Sequence, residues 1–355
     1  MPPYEDVIIV GGGPAGAYCA HELARNGIRA KLFDHSHPRE KPCGGGVSKN
    51  AIEKFPFLEE FRSQGNTTSA LRIISCANKE AMVMNSSLGF NLSRQFLDEQ
   101  ILNMAMDAGA EHIKEKVINV ERIDDLWQVK TAKRCFTSKI IVGADGINSL
   151  LRKRTIGKID RKNLGLAYGY FVTGIEKIPT TLKFIAEIPG YIWLFPRAKS
   201  TCIGIGSELK YGIFLKRILD GFIYSNYPNV NVTSNYAAML PWATDPNFFT
   251  KSRLSENCIL IGDAAGFADP LTGEGILYAL WSGKLAAEAL AKNDLRLYDQ
   301  LWKAQFGNYL QERCKQRKQY FNPSFMEILV ATQNLKTKVN LFKDKIHLPL
   351  RRAGR

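Results

Sequence analysis

No stretch of the 355 residues reaches the ~18 consecutive apolar residues that a membrane-spanning helix needs, so any membrane contact is expected to be peripheral. Acidic residues are scarce beside basic ones, 34 against 48, leaving a formal net charge of +14. That excess points to an anionic partner, whether nucleic acid, an acidic membrane surface or a phosphorylated substrate. No nucleic-acid-binding module is recognisable, and nucleic acid is not the expected partner. The seven cysteines include no C-x-x-C pair, which fits reduced thiols in a cytosolic compartment and not a disulfide scaffold. Among five histidines, His21 falls in an early helical stretch and His35 and His37 in a loop. None has a metal-like spacing, so no metal site is assigned. Repeats and low-complexity tracts are lacking, and 45% hydrophobic with 23% charged residues excludes a disordered or collagen-like chain. The opening residues run at once into an apolar stretch, leaving no room for a secretory leader. A cytoplasmic protein is expected, with the inner face of the membrane as the place for any lipid contact.

What is present begins with Val7-Ile8-Ile9-Val10, a β-branched run of the kind that forms a buried parallel strand. It leads into Gly11, Gly12, Gly13, Pro14, Ala15 and Gly16, then into a helical pattern from Ala17 to Asn26. Gly11, Gly13 and Gly16 supply G-x-G-x-x-G. The first glycine permits the tight turn, the second lets backbone approach a pyrophosphate, and the third allows close helix–strand packing. A second strand, Ala30 to Phe33, ends at Asp34, placed for an acid that hydrogen-bonds a ribose. Together these predict a dinucleotide site; they do not separate FAD from NAD.

Two later segments repeat the grammar of an apolar strand followed by a Gly/Asp turn. Lys139–Val142 runs into Gly143-Ala144-Asp145-Gly146, and Cys258–Ile261 into Gly262-Asp263-Ala264-Ala265-Gly266. Asp269, Pro270, Gly273, Glu274, Gly275 and Ile276 follow, and a helix is expected through Leu290. Its free N–H groups would suit an electron-rich flavin edge. Three such turns in this order resemble the FAD-binding domain of the flavoprotein monooxygenase and geranylgeranyl reductase superfamily. Leu92 to Asp98 opens a further helix, and the resemblance implies that Arg94 reaches the FAD pyrophosphate. Over about Tyr4 to Leu290 it implies FAD contacts at Gly11, Gly13, Pro14, Ala15, Gly16, Asp34, Arg94, Asp145, Gly146, Gly262 and Asp263. Asp269, Pro270, Gly273, Gly275 and Ile276 complete that expectation.

Lys41-Pro42-Cys43-Gly44-Gly45-Gly46 is a proline followed by a glycine cluster, a loop of unusual dihedrals. It resembles the P-C-G-G loop of geranylgeranyl reductases, which implies that Cys43, Gly44 and Gly45 lie near the flavin, with Cys43 as candidate redox or gating residue. Tyr191-Ile192-Trp193-Leu194-Phe195-Pro196-Arg197 resembles the Y-x-W-x-F-P-K motif of that family, with arginine in place of lysine. Tyr191, Trp193 and Phe195 alternate at period two and are expected to share one strand face. The resemblance implies a substrate role for them and for Arg197.

The expected fold is α/β: a Rossmann-like FAD-binding domain with an inserted antiparallel sheet and a helical C-terminal segment. The FAD domain is placed at 1–71, 93–162 and 253–292, the substrate sheet at 73–92 and 163–252, and a basic helical segment at 293–355. In that last segment Arg313, Lys315, Arg317, Lys318, Lys336, Lys338, Lys343, Lys345, Arg351, Arg352 and Arg355 interleave with Phe325, Met326, Ile328, Leu329 and Val330. Either a solvated face or an acidic lipid surface accounts for that pattern. The implied activity is FAD-dependent reduction of C=C bonds in a polyprenyl chain or prenylated lipid by hydride transfer from flavin N5. Ferredoxin, NAD(P)H or another carrier would supply electrons, and the proton donor stays open. The alternatives are an NAD(P)H-dependent monooxygenase of an apolar substrate and a non-enzymatic FAD protein at a membrane surface.

Overall fold

Parallel strands Tyr4–Val10, Ala30–Phe33, Glu111–Ile113, Cys135–Gly143 and Cys258–Leu260 form the spine of the first of three sheets. The structure is a computed structural model that describes residues 4–84, 88–175 and 177–346. In sheet order the spine runs Cys258–Leu260, Cys135–Gly143, Tyr4–Val10, Ala30–Phe33, Glu111–Ile113. Ile8, Ile9, Ile141 and Val142 are completely buried because helices cover them, as all-parallel sheets require. Helix Pro14–Arg25 starts with proline at its first turn and is left through Gly27 at φ +73°, the residue choice that each end favours. It packs on helices Arg94–Asp107 and Ile276–Ala291.

The second sheet has seven strands, in the order Asn231–Pro241, Leu164–Thr173, Thr201–Glu208, Gly190–Pro196, Thr180–Phe184, Ala70–Ile74, Glu80–Met84. All neighbours are antiparallel except Thr180–Phe184 with Ala70–Ile74. The period-two expectation for the aromatic strand holds. Ile192 and Leu194 pack toward Leu215 and Leu219 of helix Gly212–Asn226. Tyr191, Trp193 and Phe195 face the other way, into a cluster with Phe184, Tyr236 and Trp242. A small third sheet, Gly46–Ser48, Gly89–Asn91 and Asn66–Thr67, is interleaved in sequence with strands Ala70–Ile74 and Glu80–Met84 of the second.

The C-terminal segment is helical, as expected, but its chemistry needs correction. Phe325, Met326 and Leu329 of helix Pro323–Ile346 pack on the aromatic cluster, together with Tyr320 and Phe321. Arg313 forks onto Asp269 at 2.8 and 3.0 Å. Arg317 is buried, its guanidinium 4.7 Å from the Trp242 ring and 4.9 Å from that of Phe321, bonding the Pro270 carbonyl. These two cations anchor the segment to the loop before helix Ile276–Ala291, Arg317 buried and Arg313 half-buried, so neither is part of a freely solvated face. Arg351, Arg352 and Arg355 lie outside the described residues.

Candidate active site

Strand pairing brings the sequence motifs to one edge. Val10 pairs with Gly143, and Gly143 with Leu260. The Gly11 amide donates to Phe33 O, that of Ala144 to Val10 O and that of Ile261 to Gly143 O. Gly11, Asp34, Ala144, Asp145, Gly262 and Asp263 thus gather at the carboxyl ends of four parallel strands, where open α/β sheets bind ligands. Close approach accounts for two of the glycines. A Cβ on Gly11, which sits at φ +108°, would lie 2.2 Å from Ala144 O, and one on Gly16 1.9 Å from Gly11 O.

Asp34 is buried and accepts from the Gly12 amide at 2.7 Å, the Ser36 amide at 2.6 Å and the His37 amide at 2.9 Å. His37 Nδ1 donates to its Oδ2 at 2.8 Å, while Nε2 faces Asp98 Oδ2 at 3.3 Å, an ion-pair contact and not an aligned hydrogen bond. Burial alone would raise the Asp34 pKa, but the bonds from His37, Gly12 and Ser36 outweigh it and hold the carboxyl well below the usual range. Burial favours neutral His37, yet the two carboxylates raise its pKa above the ordinary value. Arg94 forks onto Asp98 at 2.8 and 2.9 Å, with the Cys43 thiol beside it. Burial also opposes ionised Asp98, and Arg94 and His37 reverse that effect. Two carboxylates therefore alternate with two cations in a closed, charge-balanced cluster. The sequence points to Asp34 for a ribose and Arg94 for the FAD pyrophosphate; in the structure both belong to a cluster with His37 and Asp98, for which the i, i+4 spacing of Arg94 and Asp98 on a helix is the available signal.

The Cys43 loop joins this cluster to the aromatic sheet. A Cβ on Gly44 would lie 2.5 Å from the Phe195 ring and 3.4 Å from Trp193 Nε1, so backbone lies directly against the wall. Arg197 Nη2 donates to Cys43 O at 2.7 Å and its Nε to Gly44 O at 3.2 Å. Its Nη1 donates to Glu40 Oε1 at 2.8 Å. Opposite Trp193 in the sheet stands Gly204, where a Cβ would meet the indole at 2.2 Å. Cys202, Gly204 and Gly206 share that strand face, a small-residue signal for the wall that sequence reasoning missed.

Behind the loop, Asp263 lies in the short helix Gly262–Ala265, with Lys41 Nζ donating to Oδ2 at 2.9 Å. Tyr191 donates its phenol proton to Thr272 O, and the Ser48 hydroxyl donates to Glu274 Oε1. Burial pushes the Glu274 carboxyl upward. Asp269 accepts from the Leu271 and Thr272 amides at 2.8 and 3.0 Å. Gly273, at φ +68°, and Gly275 lead into Ile276 at the start of helix Ile276–Ala291. Among the described residues no group of three or more metal-binding side chains occurs.

An FAD-type dinucleotide fits this edge. The first-turn amides of helix Pro14–Arg25 have no side-chain cap, because Gly13 is the N-cap residue, and a pyrophosphate suits them. Asp145 accepts from the Leu150 and Leu151 amides through Oδ2, whereas Oδ1 is buried without a hydrogen-bond partner among the described residues. Gly146 at φ +75° has open space where a Cβ would stand. Residues 5–160 match the family model described as pyridine nucleotide-disulphide oxidoreductase. The chain is 27% identical over 351 residues to digeranylgeranylglycerophospholipid reductase 1 of Methanococcoides burtonii, covering 90% of this chain and 84% of that one. It is 29% identical over 309 residues to a geranylgeranyl diphosphate reductase of Rhodobacter capsulatus, covering 80% and 74%. A solved geranylgeranyl bacteriochlorophyll reductase-like protein of Thermoplasma acidophilum superposes with TM-score 0.82 at 22% identity, over 94% of this chain and 92% of that one. With its dinucleotide edge, Cys43 loop and aromatic wall in one place, the chain is an FAD-dependent oxidoreductase similar to the geranylgeranyl reductases.

Proposed function

We propose that the protein reduces C=C bonds of a polyprenyl chain or prenylated lipid. The observation that carries this reading is the Cys43–Gly44 backbone lying against Phe195 and Trp193, which puts the dinucleotide edge and an apolar aromatic face in contact. The names of the relatives supply the substrate class. FAD, once bound and reduced, supplies the hydride. The protein's own work is positioning and exclusion of water, since an isolated alkene offers little charge to stabilise. Tyr191, Trp193, Tyr236 and Trp242, buried in a cluster that Phe321, Phe325 and Met326 join, would meet an isoprenoid chain there. Burial raises the Tyr191 pKa, so its phenol keeps the proton it donates to Thr272 O. Glu274 is the carboxyl best able to hold a proton near this loop, at the oxygens beside Ser48. FAD would be held by the Gly11–Gly16 turn, Asp34, Asp145 and the residues around Gly275.

The test is anaerobic. Chemically reduced holoenzyme mixed with geranylgeranyl diphosphate should regain oxidised-flavin absorbance and yield a saturated product by mass spectrometry. Reoxidation only when oxygen enters, with a hydroxylated product, would instead make it a monooxygenase. Cys43→Ala is expected to retain FAD but lose alkene-dependent reoxidation; full activity in that variant would remove Cys43 from the chemistry.

A further inference from the structure

Arg197 ends the aromatic strand with a positive charge, the obvious partner for an anionic head group. Its surroundings give it another task. The side chain is only 6% exposed. Nε and Nη2 are taken by the carbonyls of Cys43 and Gly44, at 2.7 to 3.2 Å, and Nη1 by Glu40 at 2.8 Å. One face of the guanidinium lies 4.6 Å from the Phe171 ring centre. Glu40 in turn accepts from the Ser93 hydroxyl at 2.5 Å and from the Arg94 amide at 3.3 Å. Hydrogen bonds therefore run from the substrate sheet, through the Cys43 loop, to the first turn of helix Arg94–Asp107.

We infer that Arg197 is a positioning residue, a latch that sets the Cys43–Gly45 turn against the aromatic wall, and that it does not read the head group of the substrate. Only a planar fork satisfies two successive carbonyls and a carboxylate together; an ammonium is a point charge with no fixed fork. Gly45, at φ +78°, has little conformational preference of its own; the Leu92 amide holds its carbonyl at 2.8 Å, and the arginine fixes the Cys43–Gly44 side of the same turn. This deepens the proposed reductase function by its substrate class. With the guanidinium spent on backbone, recognition here rests on the apolar chain, and neutral and anionic prenyl compounds are handled alike at this residue.

Two measurements on the FAD-loaded protein separate the latch from its rivals. The first is the alkylation rate of Cys43 by iodoacetamide, read by peptide mass spectrometry with Cys135 as internal reference. Arg197→Gln is expected to raise it at least about tenfold, the factor that one lost charged hydrogen bond makes in a local opening equilibrium. Arg197→Lys, which keeps the charge beside Glu40, should fall between wild type and Arg197→Gln. The second is alkene-dependent reoxidation with geranylgeranyl diphosphate and with neutral geranylgeraniol. The latch predicts that kcat falls about 100-fold for both compounds, the scale of an ångström-level misplacement, with KM little changed. A rise in KM confined to the diphosphate, with unchanged Cys43 alkylation, would show a head-group reader and overturn the inference. If wild type reduces neither compound, the function proposed above fails, and alkylation alone still decides the latch. Should Arg197→Gln not fold, Arg197→Lys carries both measurements.

Discussion

A protein carrying Gly16→Ala should be purified colourless and less stable than wild type by about 3 kcal/mol, at the upper end of overpacking costs. The added Cβ would lie 1.9 Å from Gly11 O and 2.9 Å from Ala144 Cβ. Neither contact is with the free end of a flexible side chain, so the helix Pro14–Arg25 itself must move. That helix packs on helices Arg94–Asp107 and Ile276–Ala291, so its displacement strains the whole layer. Its first-turn amides would move with it. Losing two hydrogen bonds to a charged pyrophosphate, at about 1.5–3 kcal/mol each, weakens FAD binding by at least about 100-fold. Flavin content by absorbance and a urea midpoint read the two effects separately. Gly27→Ala is a control: its Cβ has open space, though φ +73° still carries backbone strain. It should lose stability but keep its colour. A yellow, wild-type-stable Gly16→Ala protein would mean that the turn is looser than the structure has it.

The nucleotide edge was legible in the sequence because strand, glycine turn and helix follow one another within the first 34 residues. Such local order needs no tertiary information. The aromatic wall was legible for the same reason, since period-two alternation assigns Tyr191, Trp193 and Phe195 to one face. What was not legible depends on contacts between distant segments. His37 reads as a loop histidine until Asp98, 61 positions on, comes to face it at 3.3 Å. Arg197 reads as a free cation until the carbonyls of Cys43 and Gly44 are brought beneath it. Arg253 is the extreme case. It is wholly buried, with no carboxylate on its guanidinium among the described residues, and donates to the carbonyls of Phe248, Lys251, Ser252 and Ala265. Nothing local to Ser252–Leu254 announces that a cation satisfies the turn after Gly262.

The C-terminal helices teach a related point about charge. A run of basic residues is normally a solvated face, and Lys315, beside Glu312, fits that rule. Arg313 and Arg317 depart from it because the Asp269–Pro270 turn offers a carboxylate and a carbonyl that only side chains from another segment reach. Composition counts such residues toward the +14 charge, although part of it is internal to the fold.

Asp98→Ala is expected to destabilise the protein by about 3–5 kcal/mol, the cost of leaving a buried partner uncompensated. Asp98 is fully buried and is the counter-charge that Arg94 and His37 share, so its removal strands Arg94 and leaves His37 with Asp34 alone. Neither can reach water without opening the layer between the first helix and helix Arg94–Asp107. The pH dependence of the cluster follows from the direction of each shift. His37 has a raised pKa in the folded protein. Its contribution is therefore complete below the unfolded value, about 6.5, and is lost as pH climbs through the higher folded value. Asp34 and Asp98 are lowered; their contributions are complete above the unfolded value, about 3.9, and are lost only as pH falls through their depressed folded values. Between about pH 4.5 and 6.5 all four groups are charged and the cluster is at full strength. The stability gap between wild type and His37→Gln, taken from urea midpoints, should accordingly be largest near pH 6 and narrow toward pH 9. A gap that stays constant or widens with rising pH would mean that His37 is neutral in the fold. Asp98 would then have Arg94 as its sole counter-charge, and Asp98→Asn would still be costly because it leaves that buried cation unpaired.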